Sequence, residues 1–528
     1  MATDWKKTKG YRELHKDLMD ALAAKGLVET VYTDSVGRYM DLWVIFQEAK
    51  QDIKERGIVV TDGRGAKVEN RMISLSLQTS KEMRLLQNAT LITADKVGQG
   101  SILIEGDRIK DIWWADREDY GFKTDIFLKK NPDAIVSDLT GKHIIAGGID
   151  AHVHFREPGL THKADIESES RAAAAGGVTT VFDMPNTKPA TTTPELLAEK
   201  IAIAKEKSVT NIGFHIGATN ENASRIASLV RNGDSATGIM PSDIAGIKVF
   251  MGSSTGNMLV DQNDTLSELF SIQEKPILVH CEDEDTIRRN MAKATETYGE
   301  NIPFCEHENI RSRTACIKSS IKALELAIRY NTRLTLCHIS TKEEAEMVRA
   351  AKLSNPKITA ETSCNYLWFC NEDYSRLGSK AKCNPSVKTP SDRAALREAL
   401  KNGQIDTIGS DHAPHLLSEK DAPYCNAPSG LPSIQQTLPV LLTIAEQEDI
   451  PLERIASVFS EKAAEIYGLN TGKIQAGWAA DLVIFDLSKE FVVRNEDQHG
   501  KCGWTPYEGE TLKGVIEEVI INGKSINL

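Results

Sequence analysis

The chain has 528 residues, 41% of them hydrophobic and 26% charged, enough to bury a large core and to hold more than one domain. Its formal net charge of -12 gives the whole molecule no field that would draw nucleic acid, so contact with DNA or with a small anionic substrate needs local positive charge. No apolar run is long enough to span a bilayer and none follows the first lysines, which points to a cytoplasmic enzyme without membrane contact, and nine cysteines without a CxxC pair read as reduced thiols.

In chain order, residues 1–82 alternate helical runs with glycines and predict a small helical unit. In the run from Val36 to Gly57, Tyr39, Trp43, Phe46 and Ile53 fall near one helical face. After Met83 the texture changes to short alternating strands, ATLIT and GSILIEGDRIKDIWW, and residues 471–528 repeat it in AADLVIFDL and GVIEEVIINGKSI. Residues 83–144 and 471–528 are therefore predicted to join as one small β-rich domain, split in sequence by what lies between.

Residues 145–470 alternate apolar strands with helical patterns. The strand candidates are IIAGGID, TTVFDM, NIGFHIG, AGIKVF, PILVHC, RLTLCHI, KITAETS and DTIGSD, and eight βα units predict a closed (β/α)8 barrel with its chemistry at the C-terminal strand ends. The helix expected around KADIESESRAAAAGG is stopped by Gly176 and Gly177.

The chemistry-bearing residues fall at those strand ends. His152 and His154 flank Val153, and the two-residue strand period puts both imidazoles on one face. His280 in PILVHCED and His338 in LTLCHIS add two more, and Asp411 in TIGSDHAPH is a carboxylate closing an apolar segment, where a metal would partner it. Lys248 in AGIKVFMGSSTG is costly as a buried ammonium. It is expected either to react with carbon dioxide, giving an N6-carboxylated lysine that bridges two ions, or to pair with a carboxylate such as Asp243 or Glu282. With the bridge, the set suits two Zn²⁺-type ions about 3.5 to 4 Å apart. The absence of a thiolate from this set fits hydrolysis.

The stretches GGIDAHVHFREPG, GGVTTVFDMPNT, GIKVFMGSSTG, ILVHCED, CHIST and DTIGSDHAPH resemble the dihydroorotases of the amidohydrolase superfamily, in the same order, from about Met83 to Leu528. The resemblance implies that His152, His154 and Asp411 hold one zinc ion, that His280 and His338 hold another, and that carboxylated Lys248 bridges them. It implies that Arg156, Asn186 and His415 grip the substrate's exocyclic carboxylate, with Asn384 a further substrate contact, and that Asp411 moves the proton. The fold implied is a metal-bearing barrel with a small β-sandwich from both flanks. The reaction implied is the reversible conversion of N-carbamoyl-L-aspartate to L-dihydroorotate in pyrimidine biosynthesis.

Hydantoinases and allantoinases resemble the chain in the metal ligands but generally lack HxHxR in this form, and a catalytically silent structural relative is the non-enzyme alternative. Lys388, in NPSVKTP, stands where the family has an arginine, and Gly430 shapes a loop over the pocket. A homo-oligomer, a dimer for example, is the expected assembly. Residues 1–82, in YTDSVGRYMDLWVIFQEAKQDIKERGIVV and ENRMISLSLQTSKEMRLL, resemble part of a phage terminase small subunit. Such subunits recognise DNA, yet the near-balanced charge here does not support that use, leaving a natural fusion, a gene-boundary artefact or a helical adaptor.

Overall fold

In a computed structural model, the described residues are 16, 59–61, 67–69, 82–252 and 258–527. Contacts divide the chain into two units, Met1–Met83 and Arg84–Leu528. In the first, the described residues include a two-stranded antiparallel sheet, β1 (Val59–Thr61) and β2 (Lys67–Glu69), with Val60 opposite Val68. The sequence reading had this stretch among helical runs. The β-branched Val59, Val60, Thr61 and Val68 favour strand pairing instead. The helices predicted upstream lie outside the described residues.

The second unit carries two sheets. One is assembled from both flanks: β3 (Met83–Ile92), β4 (Val97–Glu105), β5 (Arg108–Trp114), β6 (Ile135–Asp138) and β7 (His143–Ala146) come from before the barrel. The barrel strands are β8 (Gly148–Val153), β9 (Val178–Asp183), β10 (Asn211–Gly217), β11 (Ile244–Phe250), β12 (Ile277–His280), β13 (Leu334–Leu336), β14 (Thr359–Thr362) and β15 (Thr407–Ile408). β16 (Leu482–Val492), β17 (Thr511–Ile521) and β18 (Lys524–Ser525) then return to the first sheet, in which β16 pairs with β7 and β7 with β3. Leu86, Leu91, Ile102, Ile144, Leu482 and Ile520 form a core there, each worth about 1.5–3 kcal/mol when fully buried.

All eight predicted barrel strands are present, parallel and in sequence order around the sheet. Every residue of β8, β9, β12 and β14 is buried, as expected where helices cover one face and the barrel interior the other. Between β8 and β9 the helix Ile166–Ala175 starts where Asp165 accepts a hydrogen bond from the Ser168 amide, and stops at Gly176. The ring closes at a short seam, where Val153 bridges His412 and the His154 amide donates to His412 O at 2.8 Å. All nine cysteines are free, and among the described residues no helix is long and apolar enough to cross a membrane.

Candidate metal centre and active site

Strand β8 delivers His152 at its end and His154 just beyond, and Asp411 follows β15 across the seam. Their ligand atoms lie within 4.8 Å of one another: Asp411 Oδ1 is 3.0 Å from His154 Nε2 and 3.5 Å from His152 Nε2. The opposite ring nitrogens fix the tautomers. His152 Nδ1 donates to Glu361 Oε1 at 2.7 Å, and His154 Nδ1 to Asn186 Oδ1 at 2.7 Å. Both Nε2 atoms therefore turn lone pairs toward a carboxylate oxygen, a repulsive arrangement unless a cation sits among them, and outer carboxylate or amide partners of this kind accompany metal-bound histidines.

Charge states agree. Burial, with Lys248 nearby, keeps His152 far below the usual imidazole range, and burial lowers His154 also, so both stay neutral and able to ligate. Burial works to raise the Asp411 carboxyl, and only positive charge at its imidazole face holds it well below the ordinary carboxylate range; with those imidazoles neutral, a bound cation is what would supply that charge. The residues thus fit a divalent ion with two imidazoles and one carboxylate.

The expected pair of zinc ions bridged by carboxylated Lys248 is not what the structure contains. Among the described residues, the groups able to hold a metal are His152, His154 and Asp411, and a fully buried His152, Cys337 and Glu361; Lys248 belongs to neither. Its ammonium is a donor with no lone pair to give a metal. From β11 it points to Cys337 Sγ at 3.5 Å, with the Phe250 ring 5.1 Å away. Cys337 brings a sulfur to the second group, and burial pushes its thiol far above its normal pKa and keeps it protonated. His280 and His338 reach the same cleft but face each other, His280 Nδ1 3.0 Å from His338 Nε2, and His280 Nε2 lies 3.1 Å from Glu282 Oε2.

A narrow cleft of about 20 Å³ joins His152, His154, Lys248, Phe250, His280, His338, Asn384, Asp411 and Gly430. Arg156, two residues past His154, is 2% exposed; its Nε donates to Pro414 O at 3.2 Å and its NH2 lies 3.0 Å from His415 Nε2. Burial lowers its guanidinium to about 10, with Asp411 pulling the other way. Asn186 spends its oxygen on His154 and leaves Nδ2 without a partner, and Asn384 Oδ1 is likewise unpartnered. Lys388 is buried and turned onto Ser386 O at 2.8 Å. Gly430 has φ +140, and a Cβ there would stand 2.4 Å from Ala413 O. Arg156, His338 and Asp411 occupy the left-handed region at φ +66, +36 and +50, a cost of about 1–3 kcal/mol each that aims their side chains.

Sequence reasoning missed Glu361 and Cys337, and gave Glu282 only as a possible partner of Lys248, whereas it faces His280. The signal for Glu361 was present, a carboxylate inside the apolar stretch KITAETS, but its partner lies 209 residues away. Burial raises the Glu361 carboxyl to about 7 while Lys248 pulls it down.

Residues 143–526 match the amidohydrolase family, and residues 12–93 match the family of the phage terminase small subunit, largely outside the described residues. The chain is 34% identical over 387 residues to a dihydroorotase of Methanosarcina acetivorans, covering 71% of this chain and 80% of that protein. A dihydroorotase of Bacillus subtilis is 33% identical over 75% of this chain and 90% of its own length. Among solved structures, the L-hydantoinase (dihydropyrimidinase) of Arthrobacter aurescens superposes with a TM-score of 0.75 at 25% identity, covering 84% of this chain and 96% of that one. The dihydropyrimidinase of Brevibacillus agri, at TM-score 0.73 and 24% identity over 84% and 95% of the two chains, shares the fold. With the match spanning most of the barrel and its flanking sheet, and the ligand geometry of His152, His154 and Asp411 inside it, this chain is a metal-dependent enzyme of the amidohydrolase family.

Proposed function

We propose that the enzyme opens and closes a cyclic amide bearing a carboxylate, as a dihydroorotase interconverting L-dihydroorotate and N-carbamoyl-L-aspartate. One observation carries this reading: the Arg156 guanidinium is buried beside the metal-ligand cluster, and the groups it meets there are the Pro414 carbonyl, which accepts from Nε, and the His415 imidazole, neither of which neutralises it. A buried cation of this kind calls for an anion, and the planar fork suits a carboxylate. The unpartnered Asn186 Nδ2 offers a further donor to the same group.

A divalent ion held by His152, His154 and Asp411 would supply Lewis acidity to the scissile carbonyl and ease deprotonation of water. In the hydrolytic direction Asp411 takes a proton from water as its oxygen bonds to the ring carbonyl carbon, and returns that proton to the ring nitrogen as the C–N bond breaks. Asn384 lines the cleft beside them.

The architecture favours a second reading, since the solved structures named above are a hydantoinase and a dihydropyrimidinase. Dihydroorotate, carbamoyl aspartate, hydantoin and dihydrouracil assayed side by side separate the two. Preference for an uncharged ring rejects the first reading. Arg156→Met should lower kcat/KM for dihydroorotate by a factor equivalent to about 2–5 kcal/mol, and leave any turnover of uncharged rings much less affected.

A further inference from the structure

His415 stands between two cations. Lys163 Nζ is 3.1 Å from its Nδ1 and Arg156 NH2 is 3.0 Å from its Nε2; Nε2 is also 3.1 Å from Ser429 O. Lys163 is itself buried, and its second hydrogen bond goes to Glu419 Oε1 at 3.0 Å. We propose that Lys163, held by Glu419, is a positioning residue that locks neutral His415 in the Nε2–H tautomer and thereby keeps an Arg156 N–H free for the substrate carboxylate.

The argument is a count of donors and acceptors. An ammonium can only donate, so the bond from Lys163 requires a lone pair on Nδ1. The proton then sits on Nε2, where Ser429 O accepts it, and both contacts are satisfied. Arg156 NH2 meets a nitrogen with no lone pair, so an N–H of the buried guanidinium lacks an acceptor until an anion arrives. The other neutral tautomer would satisfy Arg156 at Nε2, but it would turn Nδ1–H against the Lys163 ammonium, with only Glu419 Oε2 at 3.4 Å as a distant acceptor. It would also leave Ser429 O without its donor. Imidazolium would oppose both cations, and burial together with Arg156 and Lys163 holds His415 far below the usual imidazole range.

The purpose assigned to the freed N–H rests on the reading of the substrate as a ring carboxylate; the tautomer does not. The test is therefore split, using the full-length, metal-loaded protein. ¹⁵N spectra of labelled histidines, with the His415 signals identified by their loss in His415→Gln, should show Nε2–H in the wild type and a shift toward Nδ1–H in Lys163→Met. For dihydroorotate, Lys163→Met should raise KM roughly tenfold while changing kcat far less, the mark of a lost binding interaction, and Lys163→Arg should restore most of the loss. Nδ1–H in the wild type, or an unchanged tautomer in a folded Lys163→Met, overturns the proposal. Failure of the wild type to use any carboxylate-bearing ring overturns the substrate reading alone.

Discussion

Glu361 offers the sharpest test of the His152, His154 and Asp411 group, because it acts on that group through His152. Ionised above about pH 7, its carboxylate accepts the His152 Nδ1–H at 2.7 Å, and a charge-assisted bond of this length is worth about 1.5–3 kcal/mol. Glu361→Gln keeps an oxygen acceptor and the tautomer but removes the charge that makes Nε2 more basic. About half of that energy should be lost, roughly a tenfold weaker metal affinity. Glu361→Ala leaves Nδ1–H buried with no acceptor in that direction and should approach a hundredfold, the upper end for outer partners of metal-bound histidines. Both variants also remove a negative charge near Lys248, so the thermal midpoint should fall as well. Affinity is therefore read by chelator competition at a temperature where circular dichroism shows the variants folded. If both folded variants bind divalent metal as tightly as the wild type, the His152, His154 and Asp411 cluster is not the metal site.

Three other outcomes are expected. Asp411→Asn should retain much of the metal, since an amide oxygen can still ligate, but lose at least about a hundredfold in kcat, checked by elemental analysis beside steady-state rates. Arg84 forks onto Glu518 at 2.8 and 2.9 Å, and although burial raises the Glu518 carboxyl, Arg84 and Ser525 bring it below its ordinary value. The folded pKa being depressed, this pair stabilises fully above about pH 4.3 and fades as pH falls through the folded pKa, so Arg84→Met should cost no more than about 1 kcal/mol at neutral pH and nothing in strong acid, read from denaturant midpoints across pH. A chain starting at Met83 should bind metal and turn over substrate like the full chain, because every proposed site residue lies beyond it; an inactive or insoluble product despite added metal would make the first unit structural.

The barrel was readable because parallel strands buried on both faces must be apolar, and eight such runs punctuated by helical patterns leave few alternatives. HxH was readable for the same reason, the strand period fixing which side chains share a face. What periodicity cannot supply is the neighbour on the next strand. Lys248 was expected beside the metal because its strand position is interior, yet its partner is decided by Cys337, one residue past β13, and by Glu361 on β14. Tautomers are equally invisible in sequence, since they follow from Glu361, Asn186 and Lys163, each far along the chain from the ring it orients. The strand pair of β1 and β2 was missed because three residues in each strand are too few for a period to show.

The seam between the first and last barrel strands has a consequence for the order in which the molecule is made. His154 and Asp411 lie on opposite sides of it and 257 residues apart in the chain. A nascent or partly folded chain possessing β8 through β14 has two of the three ligands and no means of supplying the third. Metal capture by this trio is therefore withheld until the ring is complete, and the ion, once in place, fastens the two strand ends that are joined there by few hydrogen bonds. Uptake of metal during refolding would act as a clock for the final long-range step, the slowest kind of contact to form, and the amide of His154 should exchange with solvent faster in metal-free protein than in loaded protein.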